Sequence, residues 1–259
     1  MSDSAKAEVK GEHASPEYFG LDTGDVTKDN PLNQDEIGEK EILVVSFGTS
    51  YNDSRAKDIG GIESYLAKQF PDYSVRRAFT SQIIMNHILA RDGEKIDNVE
   101  QALERAKKNG VKELIVQPTH LMQGKEYDEL KETLDKHKAD FAKVALAEPL
   151  LGEVGKDVEE INADKEQVAT LLVQAVVTDG GFDSVQKAGQ EGAAFVFLGH
   201  GTSHTAAITY SEMQTAMRKL GYNNVFIGTV EGEPAETAVD AVIEAVKKAG
   251  YKKVTIRPM

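Results

Sequence analysis

The first forty residues hold no helical or strand period for long. Asp, Glu, Lys, Gly, Ser and Asn dominate them, and such a composition buries too little apolar surface to offset ordering. They are expected to form a solvated polar tail over 1–40. At Glu41 the pattern changes. Ile42-Leu43-Val44-Val45-Ser46-Phe47 is a short, nearly continuous apolar run, the mark of a strand buried on both faces. Gly48-Thr49-Ser50 interrupts it. Ala56, Ile59, Ile62 and Leu66 then recur at helical spacing, and Pro71 closes that stretch. Val75 to Phe79 reads as a second strand. Val99, Leu103 and Ala106 define a helix ending at Gly110, followed by a strand at Leu114-Ile115-Val116. Leu130 and Leu134 mark another helix, and Val144-Ala145-Leu146 a fourth strand. Strand and helix alternate throughout. The expected class is therefore α/β, with a parallel sheet covered by helices on both faces.

The second half repeats this plan. Phe195 to Ser203 lines up with Ile42 to Ser50, sharing Gly-Thr-Ser. Val225 to Glu231 lines up with Val75 to Ser81, and Val242 to Pro258 with Ala102 to Pro118 without gaps. Three matches in one order predict two similar α/β lobes. The expected division is a tail at 1–40, an N-terminal lobe at 41–150, a helical connection at 151–190, and a C-terminal lobe at 191–259. Pro118 is followed by Thr119, His120, a loop, a helix and a further strand, whereas Pro258 is followed only by Met259. On this comparison the second lobe is expected to lack its last loop, helix and strand. An open sheet edge, lowered stability and little activity of the chain by itself are expected with it.

Composition narrows the chemistry. The net charge of -13 repels phosphate backbones, so nucleic acid is not an expected partner. With no Cys, thiolate metal sites, disulfides and Cys nucleophiles are excluded. No apolar run reaches the length of a membrane-spanning helix, and residues 1–15 have no hydrophobic centre of a signal peptide. The cytoplasm is the default compartment. The cell envelope is the alternative, if the polar tail is a tether left by a removed signal.

In open parallel sheets, ligands bind outside the carboxyl ends of the strands. In the second lobe those ends carry His200 and Glu231. The equivalent first-lobe positions carry Phe47 and Ser81. An imidazole and a carboxylate are suitable ligands for a divalent metal, and the imidazole is also a base near neutral pH. The plainer readings are a hydrogen-bonded structural histidine and a solvated acidic loop, Glu231 standing beside Glu233. The turn Gly199-His200-Gly201-Thr202-Ser203-His204 lacks a Walker lysine, the dinucleotide spacing and a nucleophile elbow, and Ser203 reads as a helix N-cap. His120 and Glu126 also follow a strand and reach the same edge of the first lobe. They line a site or cap the next helix.

Leu43 to Tyr51, Arg77 to Ser81, His120 with Gly124 and Glu126-Tyr127, Gly199 to His204, and Val230-Glu231 together resemble one family: the anaerobic sirohydrochlorin cobaltochelatases of the CbiK type, among the class II tetrapyrrole chelatases. The likeness runs from about Glu41 to Met259. It implies two α/β lobes with a tetrapyrrole cleft between them, and insertion of Co²⁺ into a sirohydrochlorin-type macrocycle. It implies His200 as metal ligand and proton acceptor and Glu231 as second ligand. The family's third ligand, a histidine in the loop after the Pro-Met, has no counterpart in this sequence. Phe47, Gly48, Thr49, Ser81, His120, Glu126, Gly201, Thr202 and His204 become candidate substrate contacts. Cobalt is then a substrate, and no nucleotide or redox cofactor is implied. The alternatives are a non-catalytic metal or haem/tetrapyrrole binding protein of the same fold and, more remotely, a binding protein for a small anion. The physiological metal and homo-oligomerisation stay open.

Overall fold

The computed structural model describes residues 24–259. The chain divides into two compact units. One takes the chain up to His120 together with Glu126–Ala147, and the other takes Leu121–Lys125 and Glu148–Met259.

The first unit is built on β1 (Lys40–Ser46), β2 (Ser74–Phe79), β3 (Glu113–Pro118) and β4 (Lys143–Leu146), all parallel in the order β2-β1-β3-β4. Helices alternate with these strands. A helical stretch opens at Asn52–Ser54, passes through a π turn at Arg55–Ile59 and continues as α1 (Gly60–Gln69). α2 (Gln82–Asp92), α3 (Val99–Lys108) and α4 (Lys125–His137) follow. β1 lies between β2 and β3, and its last six residues are all buried. That is the packing its unbroken apolar run predicts. Leu43, Val45, Leu103, Ala106, Leu114 and Leu130 form the largest core of this unit. Asn98 and Gln101 start α3 with a reciprocal capping box, which satisfies two amides that the first helical turn leaves free.

The second unit pairs β5 (Ala193–Gly199) with β6 (Val225–Thr229) on one side and β7 (Lys253–Pro258) on the other, again parallel. Its helices are α5 (Ala163–Asp179), α6 (Val185–Gln190), α7 (Ile208–Lys219) and α8 (Val239–Lys248). Phe195, Phe197, Met213, Ala216, Met217 and Ile227 form its core. The Gln214 side chain donates to Val225 O at 3.1 Å and accepts from Ile227 N at 2.9 Å. It thereby occupies the backbone groups of β6 that face away from β5. β7 is exposed along its length, with Val254 and Ile256 open to solvent. Among the described residues, no helix is long and apolar enough to cross a membrane.

The polar stretch preceding β1 departs from the expected tail. Residues 1–23 lie outside the described residues, but from Gly24 onward the segment is packed against the first unit. Asp29 is buried and binds Arg55 Nε at 2.6 Å and Arg77 Nη1 at 2.7 Å. Arg77 in turn meets Glu63 through two bonds of 2.7 Å. Further along, Leu32 O and Gln34 O accept from the Arg76 guanidinium. Burial by itself would raise the Asp29 carboxyl, but the Arg77 and Arg55 guanidiniums hold it below its ordinary value. A hydropathy pattern registers each of these residues as polar. It cannot show that two arginines and two carboxylates neutralise one another inside.

Candidate metal and tetrapyrrole site

His200 follows β5 immediately, and Glu231 stands two residues past β6. The parallel ladder does not stop where the strands do. Val230 N donates to Gly199 O at 3.0 Å and Glu231 N donates to His200 O at 2.9 Å. These two bonds bring the imidazole and carboxylate side by side, with His200 Nδ1 3.6 Å from Glu231 Oε1. Both side chains are largely open to solvent, 78% for His200 and 55% for Glu231. An open imidazole beside an open carboxylate at the carboxyl edge of a parallel sheet is a two-donor cradle for a borderline divalent cation. Among the described residues there is no cluster of three or more His, Cys, Asp and Glu with metal-binding geometry.

The glycines of this turn are sterically required. Gly201 has φ +93°, and a Cβ there would lie 3.2 Å from the Cβ atoms of Glu231 and Thr229. A Cβ on Gly199 would lie 2.3 Å from the Tyr210 ring. Thr202 Oγ1 accepts from His204 N at 3.1 Å, and His204 Nδ1 accepts from Ala206 N at 3.1 Å. His204, rather than Ser203, therefore caps the short 3₁₀ turn Thr205–Ala207. Its Nδ1 is engaged in this cap. A one-residue offset of this kind cannot be read from a Ser-His pair, because both side chains are competent caps.

The first unit builds the same turn with different side chains. Thr80 N donates to Ser46 O at 2.9 Å and Ser81 N to Phe47 O at 3.2 Å, the same two-bond extension past the strands. Phe47 and Ser81 thus stand where His200 and Glu231 stand in the second unit. Gly48 has φ +100°, and a Cβ on it would strike the Phe79 ring at 2.5 Å. Thr49 Oγ1 accepts from Tyr51 N at 3.2 Å. Phe47, Tyr51 and Ile83 are all exposed large apolar side chains at or near this edge. Tyr51, which closes the motif from Leu43, and Ile83 were not among the candidate contacts, although their place just after the strands was a usable signal.

His120 lies two residues past β3. The backbone beside it is fixed by Thr119 N donating to Val45 O at 2.8 Å and by Thr119 Oγ1 donating to Ser46 Oγ at 2.8 Å. Both His120 ring nitrogens are shielded from solvent, and neither has a hydrogen-bond partner among the described residues. Burial lowers the His120 pKa, with the Glu126 carboxylate opposing the shift, so the ring is neutral near pH 7. Glu126 sits in the first turn of α4.

Two α/β units with parallel sheets, one presenting a His–Glu pair and the other an exposed apolar edge, define a protein of the chelatase-like class. The family model for cobalt chelatase, CbiK, matches residues 40–259. A protein named sirohydrochlorin cobaltochelatase from Salmonella typhimurium is 31% identical over 224 residues, covering 85% of this chain and 75% of the relative. A second, named sirohydrochlorin cobaltochelatase CbiKC, from Nitratidesulfovibrio vulgaris, is 27% identical over 221 residues, covering 85% and 71%. The chain belongs to the CbiK cobalt chelatase family.

Proposed function

We propose that this protein inserts Co²⁺ into a sirohydrochlorin-type tetrapyrrole, with His200 and Glu231 as the metal-handling pair. The observation that carries the reading is the 3.6 Å approach of the two side chains at neighbouring strand ends. Family membership and the names of the two relatives support the substrate and the metal.

Insertion must strip water from the cation and remove two pyrrole N–H protons. One imidazole and one carboxylate hold Co²⁺ firmly enough to replace part of its hydration and weakly enough to release it. Each pyrrole N–H electron pair becomes a bond to cobalt as its proton leaves. His200 and Glu231, freed as the metal passes to the macrocycle, take up those protons and return them to solvent. Phe47, Gly48, Thr49, Ser81, His120 and Glu126 in the first unit, and Gly201, Thr202 and His204 in the second, are assigned to substrate contact. Phe47 suits the flat apolar face of a macrocycle.

The test is to mix the protein with sirohydrochlorin and Co²⁺ and follow the macrocycle absorbance. Catalysed metallation that is lost in His200→Ala is the expected result. Tetrapyrrole binding without metallation would favour a non-catalytic carrier and overturn the proposal.

A further inference from the structure

The turn that carries His200 is held by one side chain. Tyr210 lies on α7 and is buried, with 4% of its surface exposed. Its phenol oxygen accepts from Gly201 N at 3.3 Å. The amide that follows the His200 Cα is therefore held by a buried side-chain oxygen. Gly199 fits this arrangement because its missing Cβ leaves room for the Tyr210 ring, which would otherwise lie 2.3 Å away. Burial raises the Tyr210 pKa, and the nearby Glu231 carboxylate adds to the shift, so the phenol stays neutral. A neutral anchor matters at this point. A buried cation behind the turn would repel a divalent metal, and a buried anion would compete for it.

We infer that Tyr210 is the positioning residue of the metal site: its oxygen pins the Gly201 amide, directly after His200, and its ring packs on Gly199, directly before it, which together aim the imidazole at Glu231. The proposal rests on the assignment of His200 above and adds the device that orients it. Tyr210 acts through His200 and does not itself touch the metal.

The test uses Tyr210→Phe, which removes one oxygen and keeps the ring packed on Gly199. Two measurements are made on the full chain. The first is hydrogen exchange of the Gly201 amide in the metal-free protein, which does not depend on the reaction. The second is Co²⁺ insertion, resolved into kcat and KM for the tetrapyrrole, with the absorption bands of protein-bound Co²⁺ as a spectroscopic check. The expected result is roughly tenfold faster exchange of the Gly201 amide and a fall in kcat of about tenfold, the size of an ordinary hydrogen bond. KM is expected to be unchanged, and the cobalt bands to shift. Gly199→Ala, which displaces the ring, should reproduce the kcat loss, and the double variant should lose no more than either single one. Unchanged exchange at Gly201 would overturn the inference, as would faster exchange with wild-type kcat and cobalt bands. A wild-type chain that inserts no cobalt would sink the proposed function instead. In that event the exchange measurement would still decide whether Tyr210 holds the turn.

Discussion

The two units make the same strand-to-helix turn and put it to different uses. In each, two backbone bonds continue the ladder past the strands: Thr80 to Ser46 and Ser81 to Phe47 in one, Val230 to Gly199 and Glu231 to His200 in the other. The side chains these bonds juxtapose are Phe47 and Ser81 in the first unit and His200 and Glu231 in the second. The means of holding the turn differ as well. In the first unit, Arg55 donates to Thr49 O at 3.2 Å and Arg91 to Ser50 O at 2.7 Å, and Arg55 is neutralised from behind by Asp29. The second unit uses the neutral phenol of Tyr210. The guanidiniums of the first unit are each paired with a carboxylate, Arg55 with Asp29 and Arg91 with Asp92, so they grip the turn through its carbonyls without a net charge behind it, whereas Tyr210 grips its turn through an amide. The backbone provides register in both units, and what differs is the side chains presented and the groups of the turn that are held.

The sharpest way to break this comparison is His200→Ala. Insertion is expected to fall by about 10²-fold or more, as for loss of a positioned acid–base group. The melting temperature should hardly move, because the side chain is exposed. Steady-state metallation rates and a thermal scan check both halves, and retained turnover would remove His200 from the mechanism.

Asp29→Ala probes the guanidinium anchoring of the first unit. It strips the shared carboxylate from two buried arginines, Arg55 and Arg77. A loss of about 3–5 kcal/mol is expected in denaturant unfolding, the usual consequence of leaving a buried charge without its partner. A loss under about 1 kcal/mol would show that residues 24–35 are dispensable to the first unit.

Grafting the pair sharpens the same point. Phe47→His with Ser81→Glu places an imidazole and a carboxylate in the register of the native pair. A second Co²⁺ is expected to bind at least roughly tenfold more weakly than the first, since that turn is held at Thr49 O and Ser50 O and not at the amide following the grafted imidazole. Calorimetric titration showing two equal sites would mean that register alone makes the site. Phe47→Ala should in turn raise KM for the tetrapyrrole by about tenfold, from loss of roughly 1–2 kcal/mol of apolar contact, and leave Co²⁺ affinity unchanged. An effect on cobalt binding instead would reverse the division of labour between the turns.

An effect visible only as a pH dependence lies at the amino end of β1. Glu41 is fully buried with neither carboxylate oxygen hydrogen-bonded among the described residues, and burial raises its pKa from 4.5 to about 7, against the pull of Arg76. The fold therefore favours the protonated form. The contribution is fully present below about pH 4.5 and is lost as pH rises through about 7. Glu41→Gln, which cannot ionise, should match the wild type near pH 5 and exceed it by about 2 kcal/mol at pH 9. Chemical denaturation at the two pH values measures this, and equal differences at both would show that Glu41 does not titrate in the folded state.

Much of this was legible in the residues themselves. The unbroken apolar run at Ile42 to Phe47 announced a central strand, and β1 lies between two neighbours. The internal repeat pointed to paired lobes, and the lack of an imidazole at Phe47 singled out His200. Other features were hidden for identifiable reasons. Asp29, Arg55, Arg77 and Glu63 are four polar letters spread over the chain, and only their convergence makes them an interior. Tyr210 reads as one more residue of an amphipathic helix until its oxygen is seen against the Gly201 amide. His204 and Ser203 are equivalent caps on paper, and the backbone chose between them.

By itself, the sequence determined the alternation of strands and helices, the repeat, and which residue types stand at the strand ends. Those properties follow from local periodicity and from the chemistry of single side chains. Only the tertiary structure decided which distant polar groups meet, how each turn is anchored, and that His200 and Glu231 come within 3.6 Å. Ladder register and buried charge pairing depend on groups that may be dozens of residues apart, and no local pattern along the chain encodes their distance.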